Sequence, residues 1–188
     1  SICASINEVV IHGIPSSKQI LKDGDIISID IGANYKGYHG DCARTWPCGN
    51  VKSDRLKLIE VTEQSFFEGL KYAHPGNRLS DISHAIEMYA KKFNYGVVRD
   101  FTGHGVGSKL HEDPAVPNYG KEGMGPVLRK GMTLAIEPMI NMGTYKVKIL
   151  ADGWTTITSD HSPSAHYENS IVITDNGYEI LTKIKEND

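Results

Sequence analysis

The sequence predicts an α+β fold in which helices cover one face of a curved, mostly antiparallel sheet. Short β-rich runs precede two helical stretches, further β-rich runs follow them, and one strand-forming segment occurs twice. The two copies, residues 21–30 and 128–137, align without gaps and share a leucine, a basic residue, a glycine and a final acid. This repeat predicts two related half-domains with internal pseudo-twofold symmetry, within one domain at residues 1–188.

Short strands are predicted in the first part of the chain, at residues 9–12, 26–31 and 38–46, where β-branched and aromatic residues cluster. The polar turn at residues 34–37 contains a glycine and joins the second of these strands to the third as a hairpin. Strand-forming residues begin at Ser1 without an initiator methionine, so we expect the chain to start inside a domain.

Two amphipathic helices are predicted in the middle of the chain. Apolar residues recur at about helical spacing from Ser53 onward, and a second helix with a single apolar stripe follows Ser80, which we expect to cap it. Both helices are predicted to cover the sheet.

After Gly125 the pattern returns to strands. These are predicted at residues 133–140, 145–150, 154–158 and 167–174, and a turn at residues 175–177 leads into a last strand at 178–181.

Composition excludes several classes of function. The net charge is −3 and the basic residues are scattered, so nucleic acid is not an expected partner. No apolar run has the length of a membrane span, and nothing at the start is typical of a signal peptide. Three cysteines without a CxxC pair indicate neither a disulfide framework nor a structural zinc site, which favours a reducing, cytoplasmic location.

Each copy of the repeat ends in an acid, Asp30 or Glu137, and a second acid follows each copy, Asp41 and Glu168. A single acid at the end of a strand most often faces solvent. If the half-domains are symmetric, however, all four carboxylates converge, and unpaired buried charges carry a large free-energy cost. The repeated pair with its two followers therefore predicts a divalent metal site.

His104 is expected to supply the single nitrogen ligand, because glycines on both sides allow its backbone to approach a crowded centre. A phosphate-binding loop is the weaker interpretation of this glycine-rich segment, since neither a strand–turn–helix context nor a Walker lysine accompanies it.

Four carboxylates and one imidazole suit cobalt, manganese or iron, with zinc left open. Two such ions sharing carboxylates favour hydrolysis. His12 and His111 stand near these segments, and a structural role and a catalytic role remain equally open for each.

Together these segments resemble a type I methionine aminopeptidase over nearly the whole chain. The matching motifs are VIHGIP at residues 10–15, DIG at 30–32, HGD at 39–41, GHGVG at 103–107, LHE at 110–112, AIEPM at 135–139 and SAHYEN at 164–169. The resemblance implies the pita-bread fold, whose internal pseudo-twofold symmetry agrees with the repeat. It also implies a dinuclear site in which Asp30 binds one ion, His104 and Glu137 bind the other, and Asp41 and Glu168 bridge both.

The same resemblance implies roles for the residues around the metals. Glu137 is the implied proton shuttle, His111 holds the scissile carbonyl, and His12 lies against the scissile amide. The residues implied to line the pocket for the methionine side chain are Cys3, Leu110 and Trp154.

Some positions depart from the family pattern. Leu110 stands where phenylalanine is usual, which is expected to loosen one wall of the pocket, and His166 and Asn169 stand where glutamine and histidine are usual. The family's N-terminal segment is not represented in this sequence.

The resemblance predicts removal of the initiator methionine from nascent polypeptides, with small second residues preferred. The expected protein is a cytoplasmic monomer, and a role at the ribosome is left open. The nearest rival is an Xaa-Pro aminopeptidase or prolidase of the same fold. A non-catalytic binding module on that fold is the rival from another class, and retention of all five ligand positions argues against it.

Overall fold

The computed structural model describes residues 2–183, in which two helices and fourteen strands are formed. The helices are α1, Ser53–Leu70, and α2, Leu79–Lys91. The strands are β1 Ile2–Ile6, β2 Val9–Ile11, β3 Ile26–Tyr35, β4 Tyr38–Pro47, β5 Gly96–Val97, β6 Gly103–Gly105, β7 Glu112–Val116, β8 Thr133–Ile136, β9 Met139–Asn141, β10 Val147–Ile149, β11 Thr156–Thr158, β12 Ser164–His166, β13 Glu168–Ile173 and β14 Tyr178–Ile180.

An eight-stranded antiparallel sheet forms the frame of the molecule, in the order β1-β3-β4-β13-β8-β6-β7, with β14 paired to β13. The strands β4 and β13 meet at its centre, flanked by β3 and β8. The flanking strands begin at Ile26 and Thr133, which are equivalent positions of the sequence repeat. The predicted α+β pita-bread fold, with its two related halves, is confirmed.

The hairpin of β3 and β4 pairs ten residues on each strand, from Ile26 opposite Pro47 to Tyr35 opposite Tyr38. Its turn is shorter than predicted. Only Lys36 and Gly37 lie between the strands, and both have positive φ angles, 51° and 87°, as two-residue hairpin turns that match the twist of the strands require.

The two helices pack on each other and cover the sheet, as predicted. The main hydrophobic core joins residues of α1 and α2 to inward side chains of β8 and β13; its members include Phe66, Leu70, Ile82, Ile86, Leu134, Ile136 and Ile171. Gly69 allows the helices to approach closely, because a Cβ there would lie 2.8 Å from Ile86 Cγ1. Neither helix in residues 2–183 has the length and apolar character needed to span a bilayer.

The predicted cap of the second helix is wrong. α2 begins at Leu79, and its flanking residue is Arg78, whose backbone N–H donates to the Asp81 carboxylate. Ser80 lies inside the first turn, where its hydroxyl accepts a hydrogen bond from the Met124 backbone at 2.6 Å.

Two strands predicted in the second half have different bounds in the structure. The run at residues 133–140 divides into β8 and β9 because Glu137 and Pro138 leave the ladder. The run at 167–174 begins instead at Glu168, and residues 164–166 form the separate strand β12. Strands β2, β10 and β11 form one small sheet, and β5, β9 and β12 form another.

Candidate metal centre

The β3–β4 hairpin places Asp30 and Asp41 on one face of the sheet. Asp41 lies opposite Gly32, two residues beyond Asp30 on β3, so both side chains project to the same side. Gly32 keeps this side open: a Cβ there would lie 3.8 Å from Asp41 Oδ1 and 3.3 Å from Leu110 Cδ1. The hairpin therefore supplies the first two predicted ligands as a pair.

The second half of the sheet adds Glu168 and Glu137. Glu168 begins β13 opposite Ala43, which itself lies opposite Asp30 on the next strand. Asp30, Ala43 and Glu168 therefore form one row across three strands. The side chain of Ala43, which is 1% exposed, lies in the middle of this row between the two acids. Glu137 comes directly after β8, where the ladder breaks, and its side chain is 12% exposed.

His104 is fixed on β6 by its two glycine neighbours. A Cβ at Gly103 would lie 2.3 Å from the Ala135 oxygen, and one at Gly105 would lie 2.3 Å from the Asp113 oxygen. Because a carbonyl only accepts, the 2.9 Å contact with the Gly105 oxygen assigns the ring proton to Nδ1. Nε2 then keeps its lone pair, 3.6 Å from Glu137 Oε1 and 3.9 Å from Asp41 Oδ2.

The grouped donors fit a divalent cation. One ligand atom each from Asp41, His104 and Glu168 lies within 4.8 Å of the others, and all three residues are buried. Among the described residues, no lysine or arginine forms an ion pair with the four acids of the site; these acids are Asp30, Asp41, Glu137 and Glu168. Hard oxygen donors with one imidazole and no protein countercharge call for a bound cation.

Burial shifts the acids toward their neutral forms. Burial is the main reason why the pKa values of Asp30 and Asp41 are raised, and it raises the pKa of Glu137 to about 8. The pKa of Glu168 lies well above its usual range, because of burial first and the neighbouring Glu137 charge second. A divalent cation reverses this shift by stabilising the charged carboxylates.

One small cavity of about 160 Å³ brings together all five predicted ligands with both predicted histidines. The His111 ring meets the His104 ring edge-on, with centroids 4.3 Å apart. The His12 ring stacks on Trp154 at 4.5 Å, and burial followed by the charges of His166 and His111 lowers the pKa of His12. The positions are those expected from the sequence, while the roles of these residues stay predictions.

A second cavity of about 300 Å³ adjoins the acids and is more apolar. It contains the three residues predicted to hold a methionine side chain, and its lining is Ile2, Cys3, His12, Asp30, Gly32, Asp41, Leu110, His111 and Trp154. Cys3 lies on β1 opposite Asp30, and Trp154 belongs to the turn before β11. All three cysteines of the chain are free thiols.

Arg44 is a part of the site that the sequence analysis did not identify. Its guanidinium donates to the backbone oxygen of Glu168 and to Asn169 Oδ1, the latter at 2.7 Å. It also lies 4.0 Å from the centre of the Tyr167 ring. Arg44 therefore fixes the segment that carries Glu168 without touching its carboxylate, and only the cross-strand register reveals this.

The sequence matches metallopeptidase family M24 over residues 1–175. It is 58% identical to a methionine aminopeptidase of Clostridium acetobutylicum over 182 residues, which is 97% of this chain and 73% of that protein. It is 56% identical to methionine aminopeptidase 1 of Bacillus subtilis over 184 residues, which is 98% of this chain and 74% of that protein.

Solved structures show the same relationship. A methionine aminopeptidase from Thermotoga maritima matches with a TM-score of 0.96 at 49% identity, covering 97% of this chain and 74% of that one. A prolidase from Pyrococcus furiosus matches with a TM-score of 0.77 at 26% identity, covering 98% of this chain and 49% of that one.

The first prediction concerns the metal-free protein, which should lose stability as pH rises. The pKa of Glu137 is about 8 in the folded state against an ordinary 4.5, so between these values the unfolded chain releases a proton that the folded chain keeps. The free energy of unfolding therefore falls, by about 1–4 kcal/mol between pH 5 and 8. Denaturant unfolding in a chelator measures the fall, and excess manganese should offset it.

Glu137→Gln is the matched control for this prediction, because it removes the carboxyl group and leaves the histidines in place. Its metal-free stability should fall less steeply with pH than that of the wild type. Equal slopes in the two proteins would show that Glu137 is not the group responsible.

The second prediction concerns Ala43, whose small side chain separates Asp30 from Glu168. Ala43→Val should lower manganese affinity about tenfold or more, because added methyl groups in a packed row displace their neighbours. Calorimetric titration measures the affinity. Ala33→Val, on the exposed part of β3, is the control and should bind manganese like the wild type; equal affinity in all three proteins would contradict the spacer role.

Proposed function

This chain belongs to metallopeptidase family M24, and from that membership we propose that it is a metal-dependent aminopeptidase that removes N-terminal methionine from proteins and peptides. The observation that carries the proposal is the junction of two cavities: one holds the five candidate metal ligands, and the other offers an apolar wall directly beside them. A substrate seated there would place its first side chain on the apolar wall and its first peptide bond at the acids.

The proposed cofactor is a pair of divalent ions. Asp30 would hold one ion, His104 and Glu137 the other, and the central acids Asp41 and Glu168 both. The oxygen-rich donor set favours cobalt, manganese or iron, with zinc as a weaker candidate. When bound, such a pair supplies Lewis acidity toward the scissile carbonyl and the attacking water.

Glu137 is the proposed proton carrier. Its carboxylate borders the smaller cavity and lies between two imidazole nitrogens, 3.6 Å from His104 Nε2 and 3.5 Å from His166 Nε2. Burial raises the pKa of Glu137 to about 8, and a bound cation lowers it again. A carboxyl group whose pKa lies between these two limits can take a proton from water and pass it to the departing amine near neutral pH.

His111 and His12 are proposed to contact the substrate. His111 is exposed at the mouth of both cavities and would donate to the scissile carbonyl, where negative charge develops. His12 has a positive φ of 62° and is held by stacking on Trp154, which aims its ring at the peptide bond being cleaved. Because both histidines line both cavities, we expect them to limit the size of the second residue.

The larger cavity suits a methionine side chain. Ile2, Leu110 and Trp154 provide apolar walls, and Cys3 adds a polarisable sulfur. An unbranched thioether adapts to a slot of this kind better than a branched side chain does. The substrates would be nascent polypeptides, met in the cytoplasm and at the ribosome, and the three free thiols suit that reducing compartment.

The third prediction separates ligands from substrate-contacting residues. Glu168→Ala should lower the bound metal below two ions per chain and abolish turnover, since the bridge between the ions is lost. His111→Ala should keep its metal and lose roughly 10²- to 10⁴-fold in kcat, the usual range for a positioned polar group. Metal analysis and kinetics on the same samples test both; loss of metal from His111→Ala would make that residue a ligand.

The fourth prediction concerns specificity. Peptides beginning Met-Gly should be cleaved about 10- to 200-fold more efficiently than those beginning Leu-Gly, because the two first side chains differ in shape within an apolar pocket. Met-Lys should be poor for lack of space between His12 and His111. Release of the first residue by metal-loaded protein measures kcat/KM for each peptide.

Leu110→Phe provides a check on the pocket, since it should narrow the slot and change the Met-to-Leu ratio. Leu56→Phe, on the exposed side of α1, should leave the ratio unchanged. Preferred cleavage of Ala-Pro peptides would favour the prolidase interpretation, and cleavage of no peptide by metal-loaded protein would favour a binding module.

A further inference from the structure

His166 carries an unexplained buried nitrogen beside the metal ligands. The residue ends β12, is 2% exposed, and its Nε2 has no hydrogen-bond partner in residues 2–183. Buried polar side-chain atoms nearly always have a partner, so an orphan calls for a specific explanation. The Nε2 atom lies 3.5 Å from Glu137 Oε2 and contacts no other carboxylate within 4 Å among the described residues.

The Glu137 carboxylate is therefore bracketed by two imidazoles, one facing each oxygen. His104 Nε2 lies 3.6 Å from Oε1, and His166 Nε2 lies 3.5 Å from Oε2. The two rings differ in their other contacts. His104 donates its Nδ1 proton to a backbone oxygen, so its Nε2 has a free lone pair, as a metal ligand needs. Among the described residues, His166 is not part of the group of donors that could hold a metal ion.

Hydrogen bonds hold the backbone of His166 in place, and this fixes the point from which its ring extends. Thr45 Oγ1 accepts from the His166 N–H and donates to the His166 oxygen, both at 2.9 Å. Ser28 extends this chain of hydroxyls at 2.8 Å from Thr45. On the other side, His166 pairs with Met139 of β9, two residues beyond Glu137. Strand β4 of the large sheet and strand β9 of a small sheet thus set the distance between His166 and Glu137.

We infer that His166 is a positioning residue for Glu137: its Nε2–H donates to Oε2 and turns Oε1 toward His104 and the metal ligands. The inference rests on the proposed role of Glu137 as proton carrier. A separation of 3.5 Å exceeds an ordinary hydrogen bond, and catalytic hydrogen bonds are often long in the free protein and shorten in the complex.

Three variants at position 166 test this inference by kinetics. The amide nitrogen of glutamine can reach the place of Nε2, whereas that of asparagine reaches only the place of Nδ1. We expect His166→Gln to keep kcat within about threefold, and His166→Asn and His166→Leu to lose about 10- to 100-fold in kcat with KM little changed, the scale of a misplaced catalytic group. His74→Gln, at an exposed histidine, is the control and should match the wild type.

Metal binding separates positioning from ligation. Calorimetric titration with manganese should give the same number of bound ions for the wild type and all three position-166 variants, while the affinity of the asparagine and leucine variants falls because Glu137 is less well oriented. Loss of one bound ion from the asparagine and leucine variants would make His166 a ligand and overturn the inference. So would a leucine variant with full kcat, or a glutamine variant as slow as the leucine variant. If His166→Leu fails to fold, the glutamine and asparagine pair still decides.

A readout independent of activity distinguishes failure of this inference from failure of the proposed function. In zinc-loaded protein, nitrogen-15 NMR should show the His166 ring protonated at Nε2, because a positioning donor keeps that proton and a ligand loses it. An unprotonated Nε2 would overturn the inference even in an active enzyme. A wild type that releases no methionine would overturn the proposed function, whatever the tautomer.

Discussion

The central strands β4 and β13 are joined by two residue pairs, Glu168 with Ala43 and Asn169 with Cys42, and the site depends on this short seam. Of the two acids proposed to bridge the metals, Glu168 lies in the seam and Asp41 directly precedes it on β4. Side chains reinforce it where the ladder is short: Ser170 Oγ exchanges hydrogen bonds with the Asp41 backbone at 2.9 and 3.1 Å. Arg44 binds the Glu168 backbone from the other strand. Without these contacts the halves of the sheet could slide, and the carboxylates would separate.

The seam also explains why the protein tolerates carboxylates that repel one another. A cross-strand row holds two of them at a fixed spacing with Ala43 between, so their repulsion cannot be relieved by small backbone shifts. Relief comes instead by protonation, because burial first and the neighbouring acids second raise the pKa of both acids, or by a bound cation. The metal-free fold is therefore less stable than its core alone would allow, and metal binding contributes to folding stability.

Sequence reasoning located the parts of the site that local patterns encode. The repeat related Asp30 to Glu137, and β3 and β8 begin at matching positions of it. Glycines on both sides of His104 predicted a close backbone approach, and contacts with two backbone oxygens account for it. Both features depend only on neighbours in sequence or on a gap-free repeat.

What the sequence could not predict depends on register between distant strands. Ala43 matters because it lies opposite Asp30 and Glu168, and His166 matters because β12 pairs with β9 beside Glu137. Strands of three residues give no alternation long enough to fix such a register. The predicted cap of α2 was wrong for a related reason. Ser80 has the right chemistry for a cap, but the helix is capped two residues earlier, at Arg78, whose backbone N–H donates to the Asp81 carboxylate.

The strands that carry the proposed metal ligands and the segments that line the larger cavity are different parts of the fold. This difference bears on how one fold serves different peptidases. The proposed ligands lie on interior strands of the large sheet or directly after one, and moving them would disturb its pairing. The walls of the larger cavity come from the edge strand β1, the segment around Leu110 and the turn at Trp154, which bear little of the core packing. Substitutions there change the shape of the pocket at small cost to stability. A shared fold therefore does not distinguish a methionine aminopeptidase from a prolidase, and the shape of the cavity walls must.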